Sequence, residues 1–309
     1  MVVYFYIVLA SGELRYICQR RNSSLTTLNT SKEFFVAKLT LHIECAILNI
    51  LNHGEISKMK IIKDIYYSEI KDEMHKITLY LPEGECRALL VYFHGGGFVE
   101  GNRDLAPMGS FAEDVTSAGI AVASAEYRMY PDAKYPDFVE DAAEAIAYAK
   151  SELLPLAKCE RLIACGTSAG GYQTMMLCFN EAWLERYGLD ASDVDAFIHD
   201  AGQPTTHFNV LKERGEDPAS VVIDEAAPIY HVKRRDYPPM QFIVSDNDIP
   251  GRLEQTEMLI DKLRKCGHKE DKLDYIITHG THVWYVTGAD ASGKNEFGKL
   301  ILPFINKIV

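Results

Sequence analysis

Short apolar runs alternate with longer stretches in which apolar residues recur every three or four positions, from residue 61 to the C-terminal segment. The short runs predict strands, and those that are apolar throughout are typical of strands covered on both faces of a sheet. The three- and four-residue spacing predicts helices. The predicted strands are 61–70, 75–81, 88–93, 120–125, 161–165, 194–198, 240–244 and 273–278. The predicted helices are 136–149, with Pro136 in the first turn, 169–187, 253–266 and 296–307.

This alternation of strands and helices predicts an α/β fold. Strands that are separated by helices pair in parallel, because the crossover helix returns the chain to the same edge of the sheet. We therefore expect a mostly parallel central sheet with helices on both faces.

Residues 1–58 differ in composition from the rest of the chain. They contain no proline, and residues 1–10 form an apolar run like the core of a signal peptide, although no Lys or Arg precedes it. The spacing of apolar residues predicts a helix over 34–51. We divide the chain into an extension, 1–58, and a main domain, 59–309. The extension is either a cap helix over a site or an over-extended start, and a chain that begins at Met59 is expected to fold.

The charge balance and the cysteines exclude several classes of function. Lys and Arg number 32 against 44 Asp and Glu, a net charge of −12, so no nucleic-acid surface of clustered cations is expected. No apolar run reaches the roughly 18 residues that span a bilayer. The seven cysteines include no Cys-x-x-Cys pair, which excludes a disulfide framework and a thiolate zinc site. Reduced thiols in a cytoplasmic protein are the expectation, and secretion stays open.

The segment 165–171, Cys-Gly-Thr-Ser-Ala-Gly-Gly, joins a predicted buried strand to a predicted helix. A serine in a strained strand-to-helix turn presses together the residues two positions before and after it, so only small residues fit there. Gly166 and Gly170 occupy those two positions. The pattern is that of a nucleophile elbow with Ser168 as the nucleophile. The alternative is a glycine-rich turn without chemistry.

The segment 94–98, His-Gly-Gly-Gly-Phe, directly follows the predicted strand 88–93. Consecutive glycines let backbone N–H groups point into a site, where they can stabilise an oxyanion on a carbonyl oxygen. A phosphate-binding loop is the alternative, but glycines at 95, 96, 97 and 101 do not fit Gly-x-Gly-x-x-Gly, and no Gly-Lys-Ser/Thr follows. His94 is interpreted as an anchor of the loop rather than as a base.

Together these segments resemble the hormone-sensitive-lipase-like family of α/β-hydrolase carboxylesterases, in its branch with Gly-Thr-Ser-Ala-Gly. The resemblance includes Tyr-Arg-Met-Tyr-Pro at 127–131, Tyr-Pro at 135–136 and Glu-Asp-Ala at 140–142, and it extends from about Ile61 to the end of the sequence. It implies the α/β-hydrolase fold and a triad in the chain order serine, acid, histidine.

The resemblance implies that the acid follows the predicted strand 240–244. Two aspartates, Asp246 and Asp248, compete for this role. The family usually shows Asp-Pro-Leu here, with the first aspartate catalytic, and this sequence departs from that pattern. We favour Asp248, because Ile-Pro and then a predicted helix follow it.

The histidine should follow the last long strand, and two histidines lie there. His282 matches the family's Gly-x-His followed by an apolar residue, whereas His279 is interpreted as closing the strand. Neutral His282 would remove the proton of Ser168, and Asp248 would fix its tautomer.

The resemblance also implies the surroundings of this triad. Backbone N–H groups would form the oxyanion hole, from Gly96, Gly97 and Ala169. The segment 202–232 is expected to be a small cap or pocket wall. Independently of the family, the aromatic side chains of Phe98 and Trp284 are expected to line the substrate pocket. His199, His207 and His231 do not stand at ligand spacing, so no metal site is expected, and no cofactor is needed.

The sequence thus predicts a serine carboxylesterase that hydrolyses small, short-acyl esters through an acyl-enzyme on Ser168. An amide-cleaving relative, such as an arylformamidase or a small peptidase, stays open, as does a non-catalytic ligand-binding α/β-hydrolase. The expected partner is a small-molecule ester, with no nucleic acid and no membrane span. The sequence leaves the oligomeric state undecided between a monomer and a homodimer.

Overall fold

The computed structural model describes residues 59–233 and 236–309 in full, and the backbone of residues 3–10, 13–20 and 26–27. The chain divides into two compact units, Met1–Ile56 and Ser57–Val309.

The described part of the first unit is a small antiparallel sheet. β1 (Val3–Ala10) pairs with β2 (Glu13–Arg20), and β2 pairs with β3 (Thr26–Thr27). The helix predicted over 34–51 lies outside the described residues.

The second unit is built on one large sheet. Its strands are β4 (Lys60–Tyr66), β5 (Lys76–Leu81), β6 (Ala88–Phe93), β7 (Ile120–Ala125), β8 (Leu162–Thr167), β9 (Ala196–Asp200), β10 (Met240–Asn247) and β11 (Leu273–Thr281). They form an eight-stranded sheet in the order β11-β10-β9-β8-β6-β7-β5-β4. Only β5 runs antiparallel to its neighbours, β4 and β7, among the described pairings of this sheet. The prediction of a mostly parallel sheet is confirmed.

Helices cover both faces of this sheet. They are α1 (Phe111–Ser117), α2 (Asp137–Tyr148), α3 (Leu154–Ala157), α4 (Ala169–Phe179), α5 (Ala182–Glu185), α6 (Phe208–Glu213), α7 (Arg252–Lys265) and α8 (Glu296–Ile308). Side chains of β6 alternate between two apolar cores: Val91 packs in the core with α2, α4 and α7, and Leu90 in the core with α1 and α8. Each such buried side chain contributes about 1.5–3 kcal/mol of hydrophobic stabilisation. This two-sided burial holds the sheet rigid beneath its loops.

Two helix predictions differ from the structure. The helix predicted over 169–187 is interrupted, because Asn180 is extended (φ −106°, ψ 100°) and its side-chain oxygen accepts a hydrogen bond from the Ala182 N–H at 3.3 Å. This local hydrogen bond competes with the helical one. At the other helix, Pro136 has φ −102° and ψ 15° and lies before the first turn, which begins at Asp137.

Candidate active site

Ser168 lies between the end of β8 and the first residue of α4, with φ 55° and ψ −107°. A Cβ on Gly166 would lie 2.2 Å from the carbonyl oxygen of Gly170, and a Cβ on Gly170 would lie 2.0 Å from that of Phe93. Both distances are too short for any real contact, so the tight turn requires glycine at both positions. The strand–turn–helix context that the motif needs is therefore present.

Ser168, His282 and Asp248 come together at the carboxyl edge of the sheet. Each is the first residue after its strand, which is β8, β11 and β10 respectively. His282 Nε2 lies 2.9 Å from Ser168 Oγ, and His282 Nδ1 lies 2.6 Å from Asp248 Oδ1. The three side chains form one continuous chain of hydrogen bonds.

The carboxylate of Asp248 is shielded from solvent. Its side chain is 1% exposed against 22% for His282. Burial alone would raise the pKa of Asp248, but the hydrogen bond and charge of His282, the Ile249 N–H at 2.7 Å and nearby Arg252 together hold that pKa below its usual range. Asp248 is therefore an ionised acceptor for the imidazole N–H.

The competing residues form a separate pair at the surface. His279 Nδ1 lies 2.7 Å from Asp246 Oδ2, and the Gly280 N–H donates to Asp246 Oδ1 at 2.9 Å. Their side chains are 94% and 43% exposed respectively. In the described structure the hydrogen bonds of Ser168 and His282 therefore involve Asp248 and not this second pair.

The side chain of His94 anchors the loop after β6. His94 Nε2 lies 2.9 Å from Glu126 Oε1, its ring stacks on Tyr127 with centroids 4.3 Å apart, and the Tyr127 hydroxyl donates to the His94 carbonyl at 2.7 Å. A Cβ on Gly101 would lie 2.4 Å from His94 Nδ1, so the returning chain can pass this close to the ring only with glycine at 101. His94 anchors the loop, as the sequence indicated.

Gly96 makes the tightest turn of this loop. Its φ is +112°, and a Cβ there would lie 1.9 Å from the Glu100 carbonyl oxygen. Gly97 follows with φ +62°. Ala169, across the site, is the first residue of α4, and the first four N–H groups of a helix have no intrahelical acceptor. Gly95, which precedes this turn, lies close to the nucleophile, since a Cβ on it would be 3.4 Å from Ser168 Cβ.

The segment 202–232 covers one side of this loop. Asn209 Nδ2 donates to the Gly97 carbonyl at 2.5 Å. The Phe208 ring lies 3.3 Å from the position of a Gly97 Cβ. The segment is fixed in turn to the 127–136 region, where the Tyr135 N–H donates to Glu213 Oε2 at 3.1 Å.

The two predicted pocket residues have different positions. Trp284 is 41% exposed and lies against Gly280. Phe98, which was expected to line the pocket, is fully buried, and its ring stacks on Phe138 with centroids 3.9 Å apart. Phe98 has a positive φ, 65°, and its side chain belongs to the apolar core. That expectation is corrected.

Two ionisable residues next to the site were not predicted from the sequence. Asp200 ends β9 and is fully buried, and its main-chain oxygen accepts a hydrogen bond from the Ser168 N–H at 2.7 Å. Arg252, 3% exposed, donates to the Ala201 carbonyl and acts electrostatically on Asp248. Burial lowers the pKa of Arg252 to about 10. An acid just past the predicted strand 194–198 was the available signal for Asp200.

The other predicted histidines have structural partners. His199 Nδ1 lies 2.9 Å from Thr174 Oγ1, and His207 accepts from the Asn209 N–H at the start of α6. His231 Nε2 lies 2.8 Å from the Glu225 carbonyl oxygen. Within residues 59–233 and 236–309, no group of three or more His, Cys, Asp or Glu side chains is placed to hold a metal ion. No helix of that same part of the chain is long and apolar enough to cross a membrane.

Known proteins resemble this chain in sequence and in fold. The BD-FAE family model matches residues 77–263, which contain the glycine loop, Ser168 and Asp248. The chain belongs to the BD-FAE family.

Curated relatives match this BD-FAE chain over shorter stretches. It is 36% identical to esterase LipI of Mycobacterium tuberculosis over 91 residues, 29% of this chain and 28% of that protein. It is 28% identical to an acetyl esterase of Salmonella schwarzengrund over 123 residues, 39% of this chain and 36% of that protein. Human hormone-sensitive lipase is 35% identical over 111 residues, 35% of this chain and 10% of that protein. The chain thus spans 10–36% of the length of these relatives. The resemblance to the hormone-sensitive-lipase-like family is confirmed.

Solved structures confirm the fold. A truncated carbohydrate esterase from gut microbiota superposes with a TM-score of 0.64 at 18% identity, over 82% of this chain and 98% of that chain. At this identity the likeness establishes the α/β-hydrolase fold of the BD-FAE chain.

Proposed function

We propose that this protein is a serine carboxylesterase that hydrolyses small carboxylic esters through an acyl-enzyme on Ser168. One observation carries the proposal: Ser168 Oγ, His282 and Asp248 form a continuous hydrogen-bonded chain, with contacts of 2.9 Å and 2.6 Å. A weak nucleophile within hydrogen-bond reach of a base, itself oriented by a buried acid, is the arrangement that acyl transfer needs. The esterase names of the relatives agree with this chemistry.

In the proposed reaction His282 Nε2 takes the Ser168 proton as Oγ attacks the ester carbonyl carbon. Asp248 accepts the hydrogen bond from Nδ1 and stabilises the imidazolium that forms. The N–H groups of Gly96, Gly97 and Ala169 would bind the oxyanion, and each such donor contributes about 2.7–4 kcal/mol in known cases. His282 then protonates the departing alcohol, and water, deprotonated by the same imidazole, releases the acid.

We propose a short acyl group. The segment 202–232 packs directly on Gly97 of the glycine loop through Asn209 and Phe208, and a close wall at this loop favours a small acyl group. The similarity to an acetyl esterase agrees with a small acyl group. The segment 202–232 would then act as a small cap within a catalytic domain of residues 59–309. We also propose that the protein is cytoplasmic.

A substrate panel tests the proposal. The purified protein should hydrolyse p-nitrophenyl acetate and butyrate faster than the decanoate. Faster cleavage of formanilides or aminoacyl amides would favour the amide-cleaving alternative. Absence of turnover together with absence of labelling by a fluorophosphonate would favour a non-catalytic binding protein.

A further inference from the structure

A buried polar cluster lies directly beneath the Ser168 turn, and the proposed reaction does not use it. Its members are Tyr92, Thr167, Asp200 and Tyr285, which we call the Asp200 cluster. All four are buried, with exposures between 0% and 3%. Most buried polar groups in proteins are hydrogen-bonded, because an unpaired one loses its bonds to water without replacement.

The Asp200 carboxylate joins two loops of the candidate active site. Thr167 Oγ1 donates to Asp200 Oδ2 at 2.8 Å, and the Tyr285 hydroxyl donates to Asp200 Oδ1. Thr167 is the residue before Ser168, and Tyr285 lies three residues after His282. The Tyr92 hydroxyl donates to Thr167 Oγ1 at 3.1 Å and completes the cluster.

The main chain strengthens the same connection. Thr167 and Asp200 are register partners on the parallel strands β8 and β9, and the Ser168 N–H donates to the Asp200 carbonyl at 2.7 Å. One residue thus holds the Ser168 turn through its backbone and the His282 loop through its side chain.

We infer that Asp200 is a positioning residue that fixes Ser168 Oγ within hydrogen-bond distance of His282 Nε2. The inference rests on the proposed esterase function. Its physical basis is that a misplacement of about 1 Å between reacting groups can lower a rate about a hundredfold.

This position is an unfavourable one for a carboxylate. Burial raises the pKa of Asp200 to about 7, the hydrogen bonds from Tyr285 and Thr167 oppose that rise, and the charge of Asp248 adds to it. The other titratable groups that face Asp200 are Tyr92 on β6 and Cys165 on β8. A carboxyl with a raised pKa in the folded state makes the protein less stable as the pH rises from about 4 to about 7.

Asp200→Asn is the main test, because asparagine keeps the shape and removes the charge. We expect kcat on p-nitrophenyl acetate to fall about 10- to 100-fold, with KM changed by less than about twofold. The melting temperature at pH 8 should stay equal or rise, since the buried charge is gone. Below pH 7 the wild-type kcat should fall more steeply than that of the variant, which has one ionisation fewer.

Matched variants separate positioning from packing. Thr167→Ser keeps the hydroxyl and should keep kcat, whereas the isosteric Thr167→Val removes it and should lower kcat. Tyr285→Phe should lower kcat in the same way. Rates are compared per folded molecule, with the folded fraction taken from thermal unfolding.

Three outcomes overturn the inference. An active wild type with an Asp200→Asn variant of full kcat and unchanged pH profile rejects it while the proposed function stands. A loss of rate that only follows a loss of folded protein shows a structural role instead. A wild type without esterase turnover removes the proposed function and this inference with it.

Discussion

Two aspartate–histidine pairs lie side by side at the carboxyl ends of β10 and β11, with almost the same separation. Asp248 and His282 are 2.6 Å apart, and Asp246 and His279 are 2.7 Å apart. The first pair has side-chain exposures of 1% and 22%, and its histidine also reaches Ser168; the second has 43% and 94%. Burial and a third partner, rather than the contact distance, distinguish the two pairs.

A bulge separates the two pairs. In the β10–β11 register Ser245 pairs with Thr278, and Asn247 pairs with Thr281. Between these two pairs β11 therefore contains one residue more than β10. Asp246 therefore meets the backbone of Gly280 and the exposed His279 at the irregular step. Asp248 is the first residue after β10, and its carboxylate contacts His282.

The largest difference between the pairs is expected in turnover. Asp248→Asn should lower kcat about a thousandfold or more, because the imidazole loses the acceptor that fixes its tautomer. Asp246→Asn, its matched control, should change kcat by less than about twofold. Steady-state kinetics on p-nitrophenyl acetate measure both, and a reversed order would assign the acid to Asp246.

A smaller effect is expected on the stability of the protein in acid, measured as the difference in unfolding free energy between wild type and Asp248→Asn. The pKa of Asp248 is lowered in the folded protein, so its contribution is present above the unfolded pKa of about 3.9 and is lost as the pH falls through the folded pKa. Asp248→Asn should therefore cost about 1 kcal/mol of unfolding free energy at pH 6 and progressively less below pH 4. Urea unfolding of both proteins across this range gives the difference, and a constant difference at every pH would contradict this assignment.

Salt should affect only the exposed pair. The direct contact between Asp246 and His279 is exposed to solvent, where salt screens it. Any gap in melting temperature between wild type and Asp246→Asn at about 0.05 M NaCl should therefore vanish near 0.5 M. The gap for Asp248→Asn should persist. Thermal scans at the two salt concentrations are sufficient, and equal salt sensitivity would mean that Asp248 is more hydrated than its burial indicates.

Removal of residues 1–58 is expected to have the smallest effect. Both pairs and all of their described partners lie within residues 59–309. A chain that begins at Met59 should fold and keep its kcat within about tenfold, which is about 1.4 kcal/mol of barrier. Insolubility or a larger loss would make the N-terminal segment a true cap.

Much of this molecule could be predicted from local patterns. The strands Ala88–Phe93 and Ile120–Ala125 have the predicted bounds, because continuous apolar runs mark strands that are buried on both faces. The pairing of Ser168 with His282 was implied by the resemblance to the hormone-sensitive-lipase-like family, whose Gly-x-His motif matches residues 280–282.

Other features depend on tertiary structure that a sequence does not display. The outward direction of Asp246 comes from a bulge, and the role of Asp200 comes from the register of β8 and β9. Phe98 was expected to line the pocket, whereas it is fully buried and stacks on Phe138 in the core. Residue type reports the chemistry of such side chains but not their direction.

The most direct test of the central claim is covalent labelling at Ser168. A fluorophosphonate should add one phosphonyl group per protein molecule, located by mass spectrometry on the peptide that contains Ser168, and activity should be lost in proportion to labelling. Ser168→Ala should neither be labelled nor hydrolyse p-nitrophenyl acetate. Label on another residue, or substantial turnover by Ser168→Ala, would contradict an acyl-enzyme on Ser168.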